Sequence, residues 1–206
     1  MTGVQTCALP ILQQGIGLIR RVSAVDQLER LIDDLLDLSR VQTGLVHPVL
    51  RERSLDEVLP LAVAGHAPGL VSLEVDEPAP FVLTDAGLLA RVVANLVGNA
   101  VRVSAGTPVR VLAHVLPGSV DILIVDRGPG VPQEQRERMF EPFQRLDDTS
   151  PGGLGLGLAV ARGLTEAVGG TLTAEDTPGG GLTMVLSVPR AEPTATSTEP
   201  PGRVAS

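Results

Sequence analysis

The stretch NLVGNA, residues 95–100, lies inside a long apolar-periodic run that extends over residues 85–103. Because residues four apart share one face of an α-helix, Asn95 and Asn99 fall together, and Arg102 joins that face three residues later. A second face repeats apolar residues at the helical period and predicts a buried stripe of Leu88, Val92, Leu96, Ala100 and Val103. Two amides beside a cation suit a metal ion and phosphates, although a polar helix face alone is more often simply solvated.

The composition excludes several functional classes. The chain has 206 residues, a net charge of −8 and 43% hydrophobic residues, which suits one globular domain with an appendage. The acidic balance argues against nucleic acid as a partner. With no Trp, no Tyr and three Phe, any nucleotide base must be held by aliphatic side chains. A single Cys allows no internal disulfide, and Pro, His or charge interrupts every long apolar run, so we predict no membrane span.

The N-terminal part divides into a leader and a long helix. Residues 1–11, MTGVQTCALPI, resemble a translated sequencing adapter, so we interpret them as an artefactual leader and expect upstream sequence to be missing. From Gln13 to Thr43 the apolar residues step by three and four, as in a helix of a bundle, and Gly44 ends the pattern. Without a partner helix, we expect this helix to be poorly anchored. Its acidic residues are interpreted as a solvated face: Asp33, Asp34 and Asp37.

The remaining chain alternates short helices and strands. Residues 48–53 contain a proline and three charges and predict a linker. Helices are predicted at 55–64, with Ser54 as the N-cap, and at 154–168. Strands are predicted at 71–75 and 81–83, on either side of a proline-rich turn, and at 171–174 and 182–188. Two further strands are predicted at 109–115 and 120–125, and Pro117-Gly118-Ser119 between them predicts a hairpin. The strand at 182–188 is the last in the chain. The last of these strands places four apolar residues on one face: Leu182, Met184, Leu186 and Val188.

Two glycine-containing motifs carry possible chemistry. DRGPG begins with Asp126 at the end of a predicted strand, where a carboxylate can accept a hydrogen bond from an exocyclic amine and Gly128 and Gly130 admit a close backbone approach. A turn capped by Asp126 is the more common meaning of this motif alone. The second motif, GGGLT at residues 179–183, is equally consistent with a simple hairpin turn.

Three further glycines open the helix predicted at 154–168 and can aim backbone N–H groups at phosphates: Gly153, Gly155 and Gly157. The dinucleotide fingerprint does not fit, because no strand immediately precedes these glycines. Walker A chemistry is excluded, because the sequence contains no GK[ST]. Phe140 and Phe143, just upstream, are interpreted as core anchors for a mobile loop.

The ordered set NLVGNA, DRGPG, FEPFQR, GGLGLGLAVARG and GGGLT resembles the N, G1, F, G2 and G3 boxes of the histidine-kinase ATP-binding domain. The resemblance covers residues 13–189. It implies an α+β fold, a two-layer sandwich shared with type II topoisomerases and Hsp90-type ATPases, in which ATP lies between helices and a mixed sheet under a flexible lid. Within the family, several segments are similar to actinobacterial Kdp-type potassium-responsive sensor kinases.

The resemblance also implies a division into domains. The segment ERLIDDLLDLSRVQTG, residues 29–44, resembles the second helix of the dimerisation domain of these kinases. Residues 12–46 would then be this helix of an incomplete domain, preceded by one that is missing. Residues 50–190 would be the catalytic ATP-binding domain, and residues 191–206, rich in Pro, Thr and Ser, a disordered tail.

Individual site residues follow from the same resemblance. It implies that Asn99 binds Mg²⁺ through its amide oxygen, that Asn95 and Arg102 meet the phosphates, and that Arg145 reaches the terminal phosphate when the lid closes. Asp126 would bind the adenine amine. The other residues implied to line the nucleotide are Gly128, Gly130, Gly153, Gly155, Leu156, Gly157 and Thr183. Two departures from the family pattern are Val103, at a position that is often aromatic, and a short Asp-rich lid between Arg145 and Gly153.

The implied reaction transfers the γ-phosphate of ATP to a His in an H-[ED]-L-R-T-P motif. None of His47, His66 and His114 lies in such a motif, so we expect this chain not to autophosphorylate. The intact parent would form a homodimer, act on a response regulator and be anchored in the bacterial inner membrane, with this part in the cytoplasm. A non-catalytic nucleotide-binding or dimerisation module is the alternative. A topoisomerase- or Hsp90-like ATPase would need Glu where Asn95 stands, as general base.

Overall fold

The computed structural model describes residues 28–104, 106–144 and 154–191. The helices are α1 (residues 28–42), α2 (Leu55–Val63), α3 (Ala86–Val103) and α4 (Gly157–Ala167). The strands are β1 (Arg51–Ser54), β2 (Val71–Glu74), β3 (Phe81–Thr84), β4 (Val109–Leu116), β5 (Ser119–Val125), β6 (Thr171–Asp176) and β7 (Leu182–Pro189). Short 3₁₀ turns occupy Gln133–Gln135 and Arg138–Phe140.

A mixed five-stranded sheet, in the order β2-β4-β5-β7-β6, forms one layer. Only the β2–β4 pair is parallel, and the predicted β4–β5 hairpin is confirmed. Helices α2, α3 and α4 pack on one face of this sheet around a continuous apolar core. The predicted apolar face of β7 is buried in that core, as are the alternate residues of β5: Val120, Ile122 and Ile124. The predicted two-layer sandwich is therefore confirmed.

The prediction of a linker at residues 48–53 was wrong over its second half. Arg51–Ser54 form β1, which pairs antiparallel with β3 in a separate two-stranded sheet. The charged side chains misled the prediction, because strand pairing uses only backbone groups and Arg51 and Glu52 remain exposed. Strands β2 and β3, which flank the proline-rich turn, also pair with different partners rather than with each other.

Helix α3 is the central helix of the layer. Its buried residues are Leu89, Val92, Val93, Leu96, Val97 and Ala100, a broader stripe than the sequence predicted. Leu88 is only half-buried and Val103 is 42% exposed. The buried stripe is broader because α3 packs against α2, α4 and two strands, whereas the predicted stripe assumed packing against a single surface. Among the described residues, α3 alone has the length and mean hydropathy of a membrane span, but its packing identifies it as a core helix.

The helix ends differ in part from the predictions. Ser54 occupies the N-cap position of α2, but its side chain makes no capping hydrogen bond. The side chain of Asp85 does cap α3, because its Oδ1 accepts hydrogen bonds from the N–H groups of Gly87 (3.0 Å) and Leu88 (3.2 Å). Helix α4 begins at Gly157, three residues later than predicted.

Helix α1 is described over its C-terminal half, and residues 13–27 of the predicted helix lie outside the described part of the chain. Gly44 ends it with φ = +67°, as predicted. The expectation of a poorly anchored helix was wrong near that end, because Leu38 is buried and packs in the core. The earlier turns keep exposed apolar side chains: Leu28, Ile32, Leu35 and Leu36. The predicted leader and residues 192–206 of the predicted tail lie outside the described residues. The first residue of that tail, Ala191, is buried and donates its N–H to the oxygen of Phe81 at 3.0 Å, so the prediction of disorder was wrong at this position.

The interpretation of the acidic residues of α1 as a solvated face was wrong for Asp34 and Asp37. Their side chains are 19% and 16% exposed, because Arg91 of α3 pairs with both of them. The Nη2 of Arg91 lies 3.3 Å from Asp34 Oδ1, and its Nε contacts Asp37 Oδ2.

Candidate functional site

Asp126 lies immediately after β5, and its carboxylate is buried, with 4% of the residue exposed. Its Oδ1 accepts hydrogen bonds from the backbone N–H groups of Gly128 (2.8 Å) and Leu182 (3.0 Å). Among the described residues, both hydrogen bonds to this carboxylate end on Oδ1. The second oxygen, Oδ2, is therefore the one available to an amine donor from a ligand.

The glycine turn between β6 and β7 packs directly on Asp126. Gly181 has φ = +109°, and a Cβ there would lie 2.1 Å from the backbone oxygen of Asp126. Only glycine permits both this conformation and this approach. Gly130, on the other side of the Asp126 loop, lies against the backbone of Gly181 as well. The motifs DRGPG and GGGLT thus form two loops in contact, which the hairpin-turn interpretation did not include.

Leu182, next to the predicted site residue Thr183, makes a contact with Asp126 that sequence reasoning missed. Val125 pairs with Thr183, so Thr183 and Val125 share the face of the sheet that points away from the helices. The Thr183 hydroxyl lies 2.9 Å from that of Thr177 on this face. The Asp126 carboxylate instead meets the N–H of Leu182. Only the register of β5 on β7 identifies this contact.

Asn95 and Asn99 lie on the polar face of α3, as predicted, and both are half-buried. The Nδ2 of Asn95 donates to the backbone oxygen of Gly157 at 3.4 Å, which joins α3 to the first residue of α4. Arg102 lies in the last turn of α3 and is exposed. The structure thus brings the first predicted motif against the N-terminus of α4, where backbone N–H groups favour an anion.

Gly155, just before the start of α4, contacts Phe143 and Gln144, which precede the predicted lid. The N–H of Phe143 donates to the oxygen of Gly155 (3.1 Å), and a Cβ on Gly155, whose φ is +71°, would lie 2.4 Å from the oxygen of Gln144. Leu156, which follows, is buried. Arg145 and Gly153 lie outside the described residues.

The two phenylalanines before the lid were predicted to be core anchors, and this is confirmed only for Phe140. Phe140 is buried, with its ring 5.1 Å from the guanidinium carbon of Arg162. Phe143 is 62% exposed and adopts φ = +64°, which is rare for a residue with a side chain. Its backbone bond to Gly155 holds this conformation, and the local apolar pattern could not reveal it.

Val103 lies beside the Asp126 loop. A Cβ on Gly128 would lie 2.9 Å from Val103 Cγ2, so this glycine lets the loop approach the end of α3. The backbone N–H of Arg127 points to the hydroxyl of Ser104 (3.5 Å), a second contact between α3 and the loop that the sequence did not predict. The Asp126 loop and the polar face of α3 are therefore neighbours.

No group of three or more His, Cys, Asp or Glu side chains is placed to hold a metal in the described ranges of the chain. An amide oxygen such as that of Asn99 remains suitable for Mg²⁺, which prefers oxygen ligands and keeps several waters. An open cleft of about 480 Å³ borders Gly130 and Gly181, with Arg136 and Asp176 in its walls, but no residue of α3 lines it.

The fold and these loops define a class: a two-layer ATPase domain with a buried acid after a central strand and glycine turns around it. A family model described as "Histidine kinase-, DNA gyrase B-, and HSP90-like ATPase" matches residues 84–192, and the chain belongs to this family. Its curated relatives are sensor kinases, so the chain corresponds to the ATP-binding catalytic part of a two-component sensor histidine kinase.

The relatives include the sensor protein KdpD of Rathayibacter rathayi, which is 46% identical over 80% of this chain and 20% of its own length. KdpD of Mycobacterium tuberculosis is 42% identical over 82% of this chain and 21% of its own. The sensor-like histidine kinase SenX3 of Mycolicibacterium smegmatis is 34% identical over 82% of this chain and 47% of its own. The chain thus spans about one fifth of the KdpD relatives.

Solved structures agree with this assignment. Full-length ShkA in complex with AMPPNP aligns with a TM-score of 0.73 and 26% identity, over 92% of this chain and 40% of that one. The mycobacterial sensor histidine kinase MprB aligns with a TM-score of 0.60 and 29% identity, over 69% of this chain and 98% of that one.

Proposed function

We propose that this domain binds Mg-ATP between α3, the N-terminus of α4 and the Asp126 loop, and that in its parent protein it delivers the γ-phosphate to a His on a dimerisation helix. The buried Asp126 carboxylate is the observation that carries the proposal. Two backbone N–H groups hold its Oδ1, which leaves Oδ2 to accept a hydrogen bond from the adenine amine.

The phosphate end of the site combines α3 and α4. Asn99 would ligate Mg²⁺, while Asn95 and Arg102 would contact phosphate oxygens and the N–H groups from Gly155 to Gly157 would face them. The contact between Asn95 and Gly157 supports this arrangement, because it joins the amide face to the helix N-terminus. Mg²⁺ would neutralise charge on the phosphates during transfer. Arg145 remains a proposed partner of the terminal phosphate.

The activity of the whole kinase is a further part of the proposal. The parent would be a homodimer anchored in the bacterial inner membrane, of the Kdp-type potassium-responsive subclass, and would pass its phosphate to a response regulator. The exposed apolar residues of α1 support the dimer, because they would be covered by a helical partner: Leu28, Ile32, Leu35 and Leu36. These exposed apolar residues are equally consistent with the alternative, a non-catalytic dimerisation or nucleotide-binding module.

Substitution of Asp126 tests nucleotide binding directly. Asp126→Asn keeps the oxygen that accepts from Gly128 and Leu182 but replaces Oδ2 with an amide that donates, so the fold survives and the adenine amine loses its acceptor. A lost hydrogen bond to a charged group costs about 1.5–3 kcal/mol, so affinity for a fluorescent ATP analogue should fall about ten- to hundred-fold.

The exposed acid Asp76 provides the matched control for this experiment. Asp76→Asn makes the same change of charge and should leave affinity unchanged. Calorimetry with Mg-ATP repeats the measurement without a label. An unaltered dissociation constant for Asp126→Asn would remove the basis of the proposed adenine contact.

A further inference from the structure

The glycine turn that packs on Asp126 contains three consecutive glycines with positive φ: Gly179 (+87°), Gly180 (+104°) and Gly181 (+109°). Within the turn, the N–H of Gly180 donates to the oxygen of Thr177 at 2.9 Å, and the N–H of Thr177 donates to the oxygen of Gly181 at 3.2 Å. Glycine loses more conformational entropy on ordering than any other residue. A turn of this composition therefore needs restraint from outside itself if it is to fix the position of another group.

Arg127 supplies one such restraint, from the loop that the turn contacts. Its Nη1 donates to the backbone oxygens of Pro178 (2.6 Å) and Gly180 (3.4 Å), on either side of Gly179. The guanidinium lies so close to the turn that a Cβ on Gly179 would be 3.2 Å from Nη1. Hydrogen bonds from a charged donor are stronger than those between neutral groups, so these two bonds restrain the tip of the turn.

Arg136 supplies a second restraint, at the base of the turn. Its Nη2 donates to Oδ1 of Asp176, the last residue of β6, and its Nε donates to the backbone oxygen of Val131 at 3.1 Å. Val131 directly follows the DRGPG motif in the sequence. Arg136 therefore connects the same two segments of the chain as Arg127 does, at a different point.

The turn that the two arginines hold fixes the carboxylate of Asp126. The N–H of Leu182, the residue after Gly181, donates to Asp126 Oδ1 at 3.0 Å, and the N–H of Asp126 donates to the oxygen of Leu182 at 3.0 Å. A Cβ on Gly181 would lie 2.9 Å from the Cα of Arg127, so the backbones of turn and loop are in direct contact. A displaced turn would move the Leu182 N–H and release the carboxylate from its orientation.

We propose that Arg127 and Arg136 are positioning residues for recognition of the nucleotide base, and that the preference of this domain for adenine over hypoxanthine depends on them. In this role neither arginine contacts the base, because each acts on the glycine turn and the turn orients Asp126. The inference rests on the proposed adenine contact of Asp126. Adenine offers an exocyclic amine to that carboxylate, whereas hypoxanthine has a carbonyl oxygen at the same position and cannot donate.

ATP and ITP separate this role from other contributions to binding, because they carry the same triphosphate and differ in the base. The wild-type chain should bind Mg-ATP about tenfold or more tightly than Mg-ITP in calorimetry. Arg127→Gln and Arg136→Gln should each weaken binding of Mg-ATP about three- to tenfold and leave that of Mg-ITP within about twofold. Arg127→Lys, which keeps the charge, should retain part of the preference. The matched control is Arg51→Gln, at an exposed arginine of β1, which should change neither affinity.

A double substitution tests whether Arg127 acts through Asp126. In the Asp126→Asn background, Arg127→Gln should cause no further loss of ATP affinity, because substitutions within one hydrogen-bond network are not additive. Hydrogen exchange measured by NMR on the nucleotide-free chain gives an independent readout. The amide of Leu182 should exchange faster in both arginine variants than in the wild type, and at the wild-type rate in Arg51→Gln.

Equal losses of ATP and ITP affinity in the arginine variants would show a phosphate contact or a general loss of structure, and would overturn the positioning role. Additive losses in the double variant, or unchanged exchange at Leu182 in both arginine variants, would overturn it as well. If the wild-type chain prefers ATP and Asp126→Asn removes that preference, such a failure concerns the arginines alone. A wild-type chain that binds ATP and ITP equally would overturn the proposed adenine contact and this inference together.

Discussion

At the scale of single residues, the Asp126 carboxylate depends on backbone groups that are distant in sequence. Leu182 donates to it across 56 positions, and Gly181 provides the close approach that aligns the two loops. A hydrogen bond from a backbone N–H holds a carboxylate without introducing another charge, so Oδ2 keeps its full capacity to accept. The site is therefore sensitive to the shape of the glycine turn.

Adjacent glycines in that turn allow a matched test. Gly180 and Gly181 both have positive φ, +104° and +109°, but only a Cβ on Gly181 would meet the Asp126 backbone. Alanine at either position should cost about 1–3 kcal/mol of unfolding free energy through backbone strain. Gly181→Ala should in addition lower ATP affinity at least tenfold, measured with the fluorescent analogue. Equal affinity losses in the two variants would show that the Asp126 contact does not matter.

At the scale of secondary-structure elements, α3 depends on its N-cap. Burial raises the pKa of Asp85, but hydrogen bonds from the N–H groups of Val49, Leu88 and Gly87 outweigh it and hold the pKa below the ordinary value of 3.8. Since the folded pKa is depressed, the carboxylate stabilises the fold above the unfolded pKa. That stabilisation is lost as pH falls through the folded pKa.

Removal of this cap should therefore have a pH-dependent effect. Asp85→Ala should lower the free energy of unfolding by about 0.5–2 kcal/mol at pH 7, and the difference from wild type should shrink below pH 4. Urea denaturation at pH 7 and pH 3 measures both values. Asp56→Ala, an exposed acid in the first turn of α2, is the control. A difference that does not depend on pH would contradict the role assigned to the carboxylate.

At the scale of the whole molecule, α1 has one face that packs on the domain through Leu38 and another face with exposed apolar side chains. Ile32 and Leu36 are 49% and 51% exposed and lie four residues apart on the exposed face. Each apolar side chain of this kind contributes about 1.5–3 kcal/mol when it is buried, so the surface favours association of chains.

Polar substitution on that face should reduce association. Ile32→Gln/Leu36→Gln should move the chain toward a monomer in sedimentation velocity while leaving ATP affinity unaltered. Leu61→Gln/Val115→Gln changes two exposed apolar residues on other elements and should have little effect. A wild-type chain that remains monomeric at high concentration would contradict the prediction.

Phosphoryl transfer is also a property of the whole molecule, because the acceptor must reach the ATP site in line. His47 bonds the backbone oxygen of Leu45 through its imidazole, and His66 and His114 lie in a loop and in β4. The proximity of a well-oriented acceptor is worth about 7–11 kcal/mol, so we expect this chain to hydrolyse ATP only slowly and to acquire no phosphohistidine.

Incubation with γ-labelled ATP tests whether this chain acquires phosphohistidine. Label should appear only when a separately produced acceptor helix from a homologous kinase is added, and then on that helix. Acid-labile label on this chain alone would show that one of its three histidines can act as acceptor. Asp126→Asn is the control for label that does not depend on nucleotide binding.

Local patterns in the sequence were sufficient to predict most secondary-structure elements and to indicate the family. The apolar period of residues 85–103 predicts α3, the alternation in 182–188 predicts the buried face of β7, and the turn at Gly118 predicts the β4–β5 hairpin. These features depend on contacts between near neighbours, for which the chain order contains the information. Five ordered motifs then indicate the ATPase fold.

Contacts between distant residues required the tertiary structure. Arg91 meets Asp34 across 57 positions, β1 forms only because β3 offers a partner, and the register of β5 on β7 brings the N–H of Leu182 to the Asp126 carboxylate. In each case the side chains are compatible with several partners. Chain topology and backbone pairing choose between them, because a shift of one residue in register turns every side chain of a strand to the opposite face.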